Sequence, residues 1–209
     1  DEVRVRQAVD ELGLDAAVLT TDPHSLADML ADIERIGDAL GRSERALDLV
    51  SELEGRIDAV ERAAGATESR PRTAVLDWLD PVMVASHWIP GMVDLAGGRY
   101  GLAERGARSR PREWETIRSY DPEVLVLAPC GFGIDQTTAN LTDVTDRDGW
   151  DDLTAVQRDE VYVVDGHHYV NRPGPRLVET LEFLAWVLHP EQFDAPPSDA
   201  VRPLAALEA

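Results

Sequence analysis

Residues 121–132 read DPEVLVLAPCGF: a turn signal, a short apolar run, then a loop punctuated by proline and glycine. A run that is apolar at consecutive positions has to be covered on both faces, which marks a strand inside a parallel sheet with helices on either side. Two runs of the same texture flank it, TAVLDW at 73–78 and EVYVV at 160–164. Between them lie segments of helical spacing at about 88–96, closed by Gly97 and Gly98, at about 112–119, and at 134–140. After the third run, Pro175 takes a first-turn position, and Leu177, Leu181, Leu184 and Leu188 extend a final helix that Pro190 stops. Residues 73–190 are therefore expected to form a three-layer α/β lobe around a small parallel sheet. The tail from 191 to 209, rich in Pro, Ala and Asp, is expected to be partly loose.

Upstream, residues 65–72 (GATESRPR) read as a polar linker. Ahead of it Ala46, Val50, Leu53, Ile57, Val60 and Ala64 alternate steps of four and three, which is one apolar stripe along a helix opening at Ser43. At 1.5 Å per residue that helix is about 33 Å long, the span of a small domain. A coiled-coil arm is the other reading, but about three heptads without lysine partners for the many acids make a weak zipper. A rigid helix packed along the body of the protein fits better. Ser25 looks like an N-cap with Asp28 three residues on, ahead of Leu26, Met29, Leu30, Ile33, Ile36 and Leu40 at helical spacing, with Gly41 as the stop. Residues 3–12 read as a short helix ending at Gly13, and AAVLT at 16–20 as a buried strand. One strand with two helices leaves sheet edges unpaired, so 1–42 is expected to be part of an N-terminal lobe whose remainder lies upstream. The divisions are thus a partial lobe at 1–42, a connecting helix at 43–65, the lobe at 73–190 and a tail at 191–209.

Composition narrows the function classes. The 209 residues carry 40 acidic and 20 basic side chains, a formal charge of −20, and every basic residue is arginine. Such a surface repels phosphate backbones and anionic lipid heads, which argues against nucleic acid and membrane-surface partners. Acid excess with arginine in place of lysine suits a salt-rich milieu; an arginine-rich proteome is the plainer alternative. No apolar run reaches the roughly 18 residues of a spanning helix. Residues 1–10 (DEVRVRQAVD) lack the features of a signal peptide. The single cysteine, Cys130, excludes an internal disulfide and a multi-cysteine zinc site.

Ligands of parallel sheets bind beyond the carboxyl ends of the strands, where loops and helix N-termini converge. The first run leads into Asp77, Trp78 and then Ser86-His87-Trp88, the second into Pro129-Cys130-Gly131-Phe132, the third into Asp165-Gly166-His167-His168-Tyr169. An edge carrying Trp78, Trp88, Phe132 and Tyr169 with His87, His167 and His168 suits a large, flat or conjugated ligand held by stacking. The alternative places Trp78 and Phe132 in the core with only Tyr169 exposed. If the chain is extended at 167–168, the two imidazoles point to opposite sides and are no chelating pair, so no metal site is expected. Cys130 is a nucleophile only if an acidifying histidine lies beside it; a small residue in a tight turn explains it equally well. No hydrolase elbow, phosphate-binding loop or dinucleotide fingerprint occurs, so an enzyme is not expected. NRPGPR at 171–176 is a stiff loop that could hold Tyr169 against a ligand, or carry solvated arginines.

The strings DPEVLVLAPCGF (121–132), GWDDLTAVQRDEVYVVDG (149–166) and NRPGPRLVETLEFLAWVLHPEQF (171–193), with AGG at 96–98, resemble the vitamin B12 (cobalamin) substrate-binding proteins of ABC importers. These belong to a wider class shared with iron-siderophore and haem binders. The likeness runs from VRQAVDELGLDAAVLTTDPHSLADMLADIERIGDALG (5–41) to Phe193. It implies two α/β lobes joined by one long helix, a ligand between the lobes, small opening motions, no cofactor and no catalysis. It also implies that this chain is truncated at its N-terminal side. Trp78, His87, Trp88, Phe132, His168 and Tyr169 would line the C-lobe wall, with cobalamin as ligand or, alternatively, a ferric siderophore or haem. One exposed glutamate per lobe would dock on the permease of the permease/ATPase complex; Glu115 is the best match here and Glu113 the next. A tryptophan that some relatives place shortly before that glutamate is absent, with Ser109 near its position. The protein would then work outside the cytoplasm, at the cell surface or in the periplasm, anchored in its full-length form. A rival of another class is a structural or interaction fragment that dimerises to cover its sheet edges.

Overall fold

A computed structural model describes residues 2–207 of the chain. Its first element, α1 (Glu2–Glu11), lies on the surface with no buried residue. Next comes α2 (Leu26–Ala39), whose start is fixed as the sequence suggests: Ser25 Oγ accepts the Asp28 N–H at 3.1 Å. Asp28 returns the favour one residue earlier than a standard capping box, its Oδ2 accepting the His24 N–H at 3.0 Å. That backbone donor holds the Asp28 carboxyl below its usual range. The long helix, α3 (Ser43–Ala64), buries Ala46, Val50, Leu53, Val60 and Ala64 and keeps its other faces in solvent. Each such Val or Leu contributes about 1.5–3 kcal/mol when fully buried. The two helices pack closely because Gly37 carries no side chain; a Cβ there would stand 2.3 Å from that of Ala46.

The sheet begins with β1 (Thr73–Trp78) and turns back through the two-residue β2 (Met83–Val84) before α4 (Ile89–Leu95). A second short strand, β3 (Arg110–Pro111), leads into α5 (Trp114–Tyr120) and β4 (Val124–Leu127). Three short helices follow, α6 (Ile134–Ala139), α7 (Thr142–Thr145) and α8 (Thr154–Gln157), then β5 (Val161–Val164). A π-helical turn over Gly166–Val170, α9 (Leu177–Leu188) and β6 (Val201–Pro203) complete the order, with a 3₁₀ turn at Leu204–Ala206.

Strand order is β3-β2-β1-β4-β5-β6. The centre is parallel, with Val75 opposite Val126 and Val126 opposite Tyr162. On one face Val75, Val126 and Val164 pack with α2, α3, α4 and α9. On the other, Leu76, Leu125, Leu127 and Val163 pack against Ile117 of α5, Val144 and Trp150. The lobe is therefore three-layered α/β, and all three strands expected from the apolar runs are present.

Two expectations are corrected, and two are made more specific. The parallel centre is extended by antiparallel strands of two or three residues, β2 and β3 on one side and β6 on the other, too short to show a period in the sequence. Residues 16–20 form no strand and are mostly exposed. Arginines take the place of a ladder there, Arg6 donating to Val18 O at 3.2 Å and Arg35 to Thr20 O at 3.0 Å. Pro175 lies ahead of α9, which opens at Leu177 with Arg176 as its N-cap. The ordered part of the tail is specific: Ala200, Val201 and Leu204 are buried, and 201–203 pairs with β5 as the sixth strand.

Candidate functional site

The three parallel strands run the same way, so the segments after Leu76, Leu127 and Val164 share one edge of the sheet. Backbone bonds tie these segments together. Asp77 O accepts the Cys130 N–H at 2.9 Å, and Phe132 O accepts the His167 N–H at 3.1 Å. Asn171 Nδ2 closes the set from the far side, donating to Ala128 O at 2.9 Å.

On this frame the candidate side chains fall into three groups. Trp78 and Phe132 meet edge to face, 5.3 Å between ring centroids, and both are partly exposed. They are therefore not core residues, contrary to the alternative reading. His87 and Trp88 are neighbours at 5.5 Å, and the Trp88 indole N–H reaches across to Val170 O at 3.0 Å, linking the group to the turn after β5. The third group is His167, His168 and Tyr169. The chain there is not extended but wound into the π turn, so the two imidazoles stand together, 4.6 Å apart and perpendicular. Asp165 organises that turn: one carboxylate oxygen accepts the His168 N–H at 2.8 Å and the other faces His168 Nδ1 at 2.7 Å. Tyr169 packs on Phe183 at 5.0 Å and carries the Arg176 guanidinium over its face at 5.9 Å. The stiff 171–176 loop thus reaches Tyr169 through Arg176.

His24 joins the second group, and its place was not readable from the sequence. It lies 63 residues from His87, yet the two Nδ1 atoms are 3.4 Å apart, and His24 Nδ1 also meets Gly106 O at 2.8 Å. The ring of His87 is brought there by a left-handed backbone, φ 52°, which costs a non-glycine residue energy and here is held by bonds from both sides. Its N–H goes to Ala107 O at 2.7 Å and its carbonyl accepts from Gly106 N–H at 2.9 Å. Burial, then the charges of His24 and Arg108, hold the His87 imidazole below its ordinary pKa. A cavity of about 740 Å³ opens beside this pair, lined by His24, His87, Trp88, Asp94, Arg105 and Glu61.

Asp77, at the end of β1, has Oδ1 buried without a hydrogen-bond partner among the described residues. Burial pushes its carboxyl up, against the weaker pull of the nearby Ser109 hydroxyl and His87. Cys130 is exposed. Among the described residues no group of three or more His, Cys, Asp or Glu is arranged to hold a metal ion. The rim presents ring faces and imidazoles.

Glu115 lies elsewhere, in the first turn of α5, and its side chain is 69% exposed while pairing with Arg118 at 2.8 Å. Glu113 is the exposed N-cap residue of the same helix. No described helix is long and apolar enough to cross a membrane.

Residues 4–167 match the family model described as periplasmic binding protein. Over 50 residues, 24% of this chain and 16% of the other, the sequence is 46% identical to an uncharacterized ABC transporter substrate-binding lipoprotein, YvrC, of Bacillus subtilis (strain 168). The aligned stretch thus spans well under two thirds of that protein. An ABC transporter substrate-binding protein from Listeria monocytogenes EGD-e superimposes with TM-score 0.75 and 22% identity, covering 90% of this chain and 73% of that one. IsdE of S. aureus, solved in complex with heme, does so with TM-score 0.74 and 18% identity, covering 90% and 74%. Likeness at these identities concerns the fold.

Proposed function

We propose, because this chain belongs to the periplasmic binding protein family, that it is the solute-binding component of an ABC importer and that its solute is a corrinoid of the cobalamin type. It is a binding protein of a transport system and not an enzyme. The observation that carries the corrinoid reading is the rim at the strand ends, where Trp78, Phe132, His87, Trp88, His168 and Tyr169 present partly exposed rings around a common backbone frame. Such a surface holds a broad conjugated ring by stacking and a few hydrogen bonds. The likeness of residues 121–132 and 171–193 to the cobalamin branch supports the same choice. In this reading the protein works outside the cytoplasm and hands its solute to a permease/ATPase complex. The B. subtilis relative, a lipoprotein of an ABC transporter, supports that placement.

Isothermal titration with cyanocobalamin is expected to show tight, saturable binding. Absence of heat with cyanocobalamin, together with heat from a ferric siderophore or haem, overturns the corrinoid assignment and leaves the family untouched.

Docking rests on charge. Glu115 is exposed, and an arginine of the permease has only to displace the local Arg118 partner, an exposed pair worth about 0–1 kcal/mol. Glu115→Arg is expected to reduce transport at least tenfold in a reconstituted importer while solute affinity stays within twofold. A matching fall in affinity would show that Glu115 serves the solute site instead.

A further inference from the structure

The edge strand β3 carries a feature that the solute rim does not use. Arg110 pairs with Val84 of β2 and the Arg112 N–H donates to Val82 O at 2.8 Å, so this segment is extended. Alternate residues of an extended segment share a face, and here Arg108, Arg110 and Arg112 follow one another at that spacing. They line a cavity of about 450 Å³ together with the buried Ser86 and the loop at 101–107.

Charge sets this cavity apart. Nine of the 20 arginines hold carboxylates in ion pairs among the described residues, and what distinguishes this hollow is that three arginines without such a partner converge on it. Among the described residues no carboxylate pairs with Arg108, Arg110 or Arg112; their one side-chain bond runs from Arg112 to Leu102 O at 3.3 Å. Glu104 lines the same cavity, and its carboxylate pairs with none of the three. Its backbone carbonyl instead accepts from Ser86 Oγ at 3.3 Å. Three unpaired guanidiniums around one hollow repel each other at a cost that an anion removes. Their planar donor forks match the paired oxygens of carboxylate and phosphate groups.

We propose that this cavity is an anion-binding site for a small molecule carrying at least two phosphate or carboxylate groups. The site is tested apart from the corrinoid reading, since it needs no cobalamin. Titration with pyrophosphate and with citrate at low ionic strength is expected to give saturable binding that weakens as salt is added. The double variant Arg108→Gln/Arg110→Gln is expected to lose at least tenfold in affinity, and Arg110→Lys to lose less. Arg45→Gln, on α3 and away from the cavity, is expected to change affinity less than twofold. All three arginines are exposed, so melting temperatures should be unchanged and a loss cannot be ascribed to misfolding. Absence of binding to the unmodified protein, or equal affinity in the double variant, overturns the site. A second titration separates the two sources of the anion. If saturating pyrophosphate weakens cyanocobalamin binding, the site takes an anionic group of the transported solute; if the two bind independently, it takes a free oxyanion.

Discussion

Gly166→Ala is expected to lower folding stability by about 3 kcal/mol, at the upper end of overpacking costs. Gly166 opens the π turn after β5 and is buried against the loop after β4. An added Cβ would stand 2.4 Å from Pro129 O, 2.7 Å from Ala128 O and 2.8 Å from Asn171 Nδ2. Two of these atoms are backbone, so the clash cannot be relieved by turning a side chain; the two loops have to part. Parting them breaks the bond from His167 N–H to Phe132 O and the bond from Asn171 to Ala128 O. Those bonds set Phe132 relative to His168 and Tyr169, so in the proposed function solute binding should fail along with stability. For a chain of this size, 3 kcal/mol corresponds to a fall in melting temperature of about 6–12 °C. Gly174→Ala is the control: nothing lies within 4 Å of a Cβ there, and its effect should stay within about 0.5 kcal/mol. Equal melting temperatures for the two variants would show that the loops after β4 and β5 are not locked at Gly166.

Trp88→Ala should cost about 3 kcal/mol, in the range of large-to-small changes at packed aromatics. The indole packs against the buried cluster that includes Val75, Met92, Val170 and Leu184, and its N–H satisfies Val170 O at 3.0 Å. Truncation opens a void between α4 and the turn after β5 and leaves that carbonyl without the donor. Trp88→Phe separates the two contributions, since it keeps most of the packing and removes only the N–H; about 1 kcal/mol is expected. Urea denaturation measures both. If Trp88→Ala were as stable as the parent protein, the indole would be a surface group and not a tie between α4 and the strand ends. In the proposed function the alanine variant also loses stacking area, so cyanocobalamin affinity should fall at least tenfold for alanine and less for phenylalanine.

The parts of the fold legible in the sequence share one physical cause. TAVLDW, EVLVLA and EVYVV are apolar at consecutive positions because helices cover both faces of the sheet, and that need is written residue by residue. The stripe from Ala46 to Ala64 is likewise local, since a helix longer than 20 residues repeats its buried face several times. AAVLT at 16–20 carries a strand-like pattern, yet pattern supplies only the capacity to pair. Pairing also needs a neighbouring strand, and here the carbonyls of Val18 and Thr20 are bonded by Arg6 and Arg35 instead. The edge strands β3 and β6, of two and three residues, show no period at all because their places are set by the neighbours they bond.

The candidate site divides in the same way. That aromatic residues and imidazoles follow the three strands was readable, because in a parallel sheet chain position after a strand already implies position at one edge. How they group was not. His24 meets His87 across 63 residues of chain, the π turn brings His167 and His168 together where an extended chain would part them, and Asp165 fixes that turn. Three arginines at alternate positions looked like ordinary surface charge until a cavity and the absence of carboxylate partners among the described residues set them apart. The sequence by itself thus determined the layers, the long helix and the strand ends that carry the candidate rings, because burial of long elements is encoded locally. Which edges close, which rings touch and where charge is left uncompensated depend on contacts between distant segments, and the tertiary structure alone decided them.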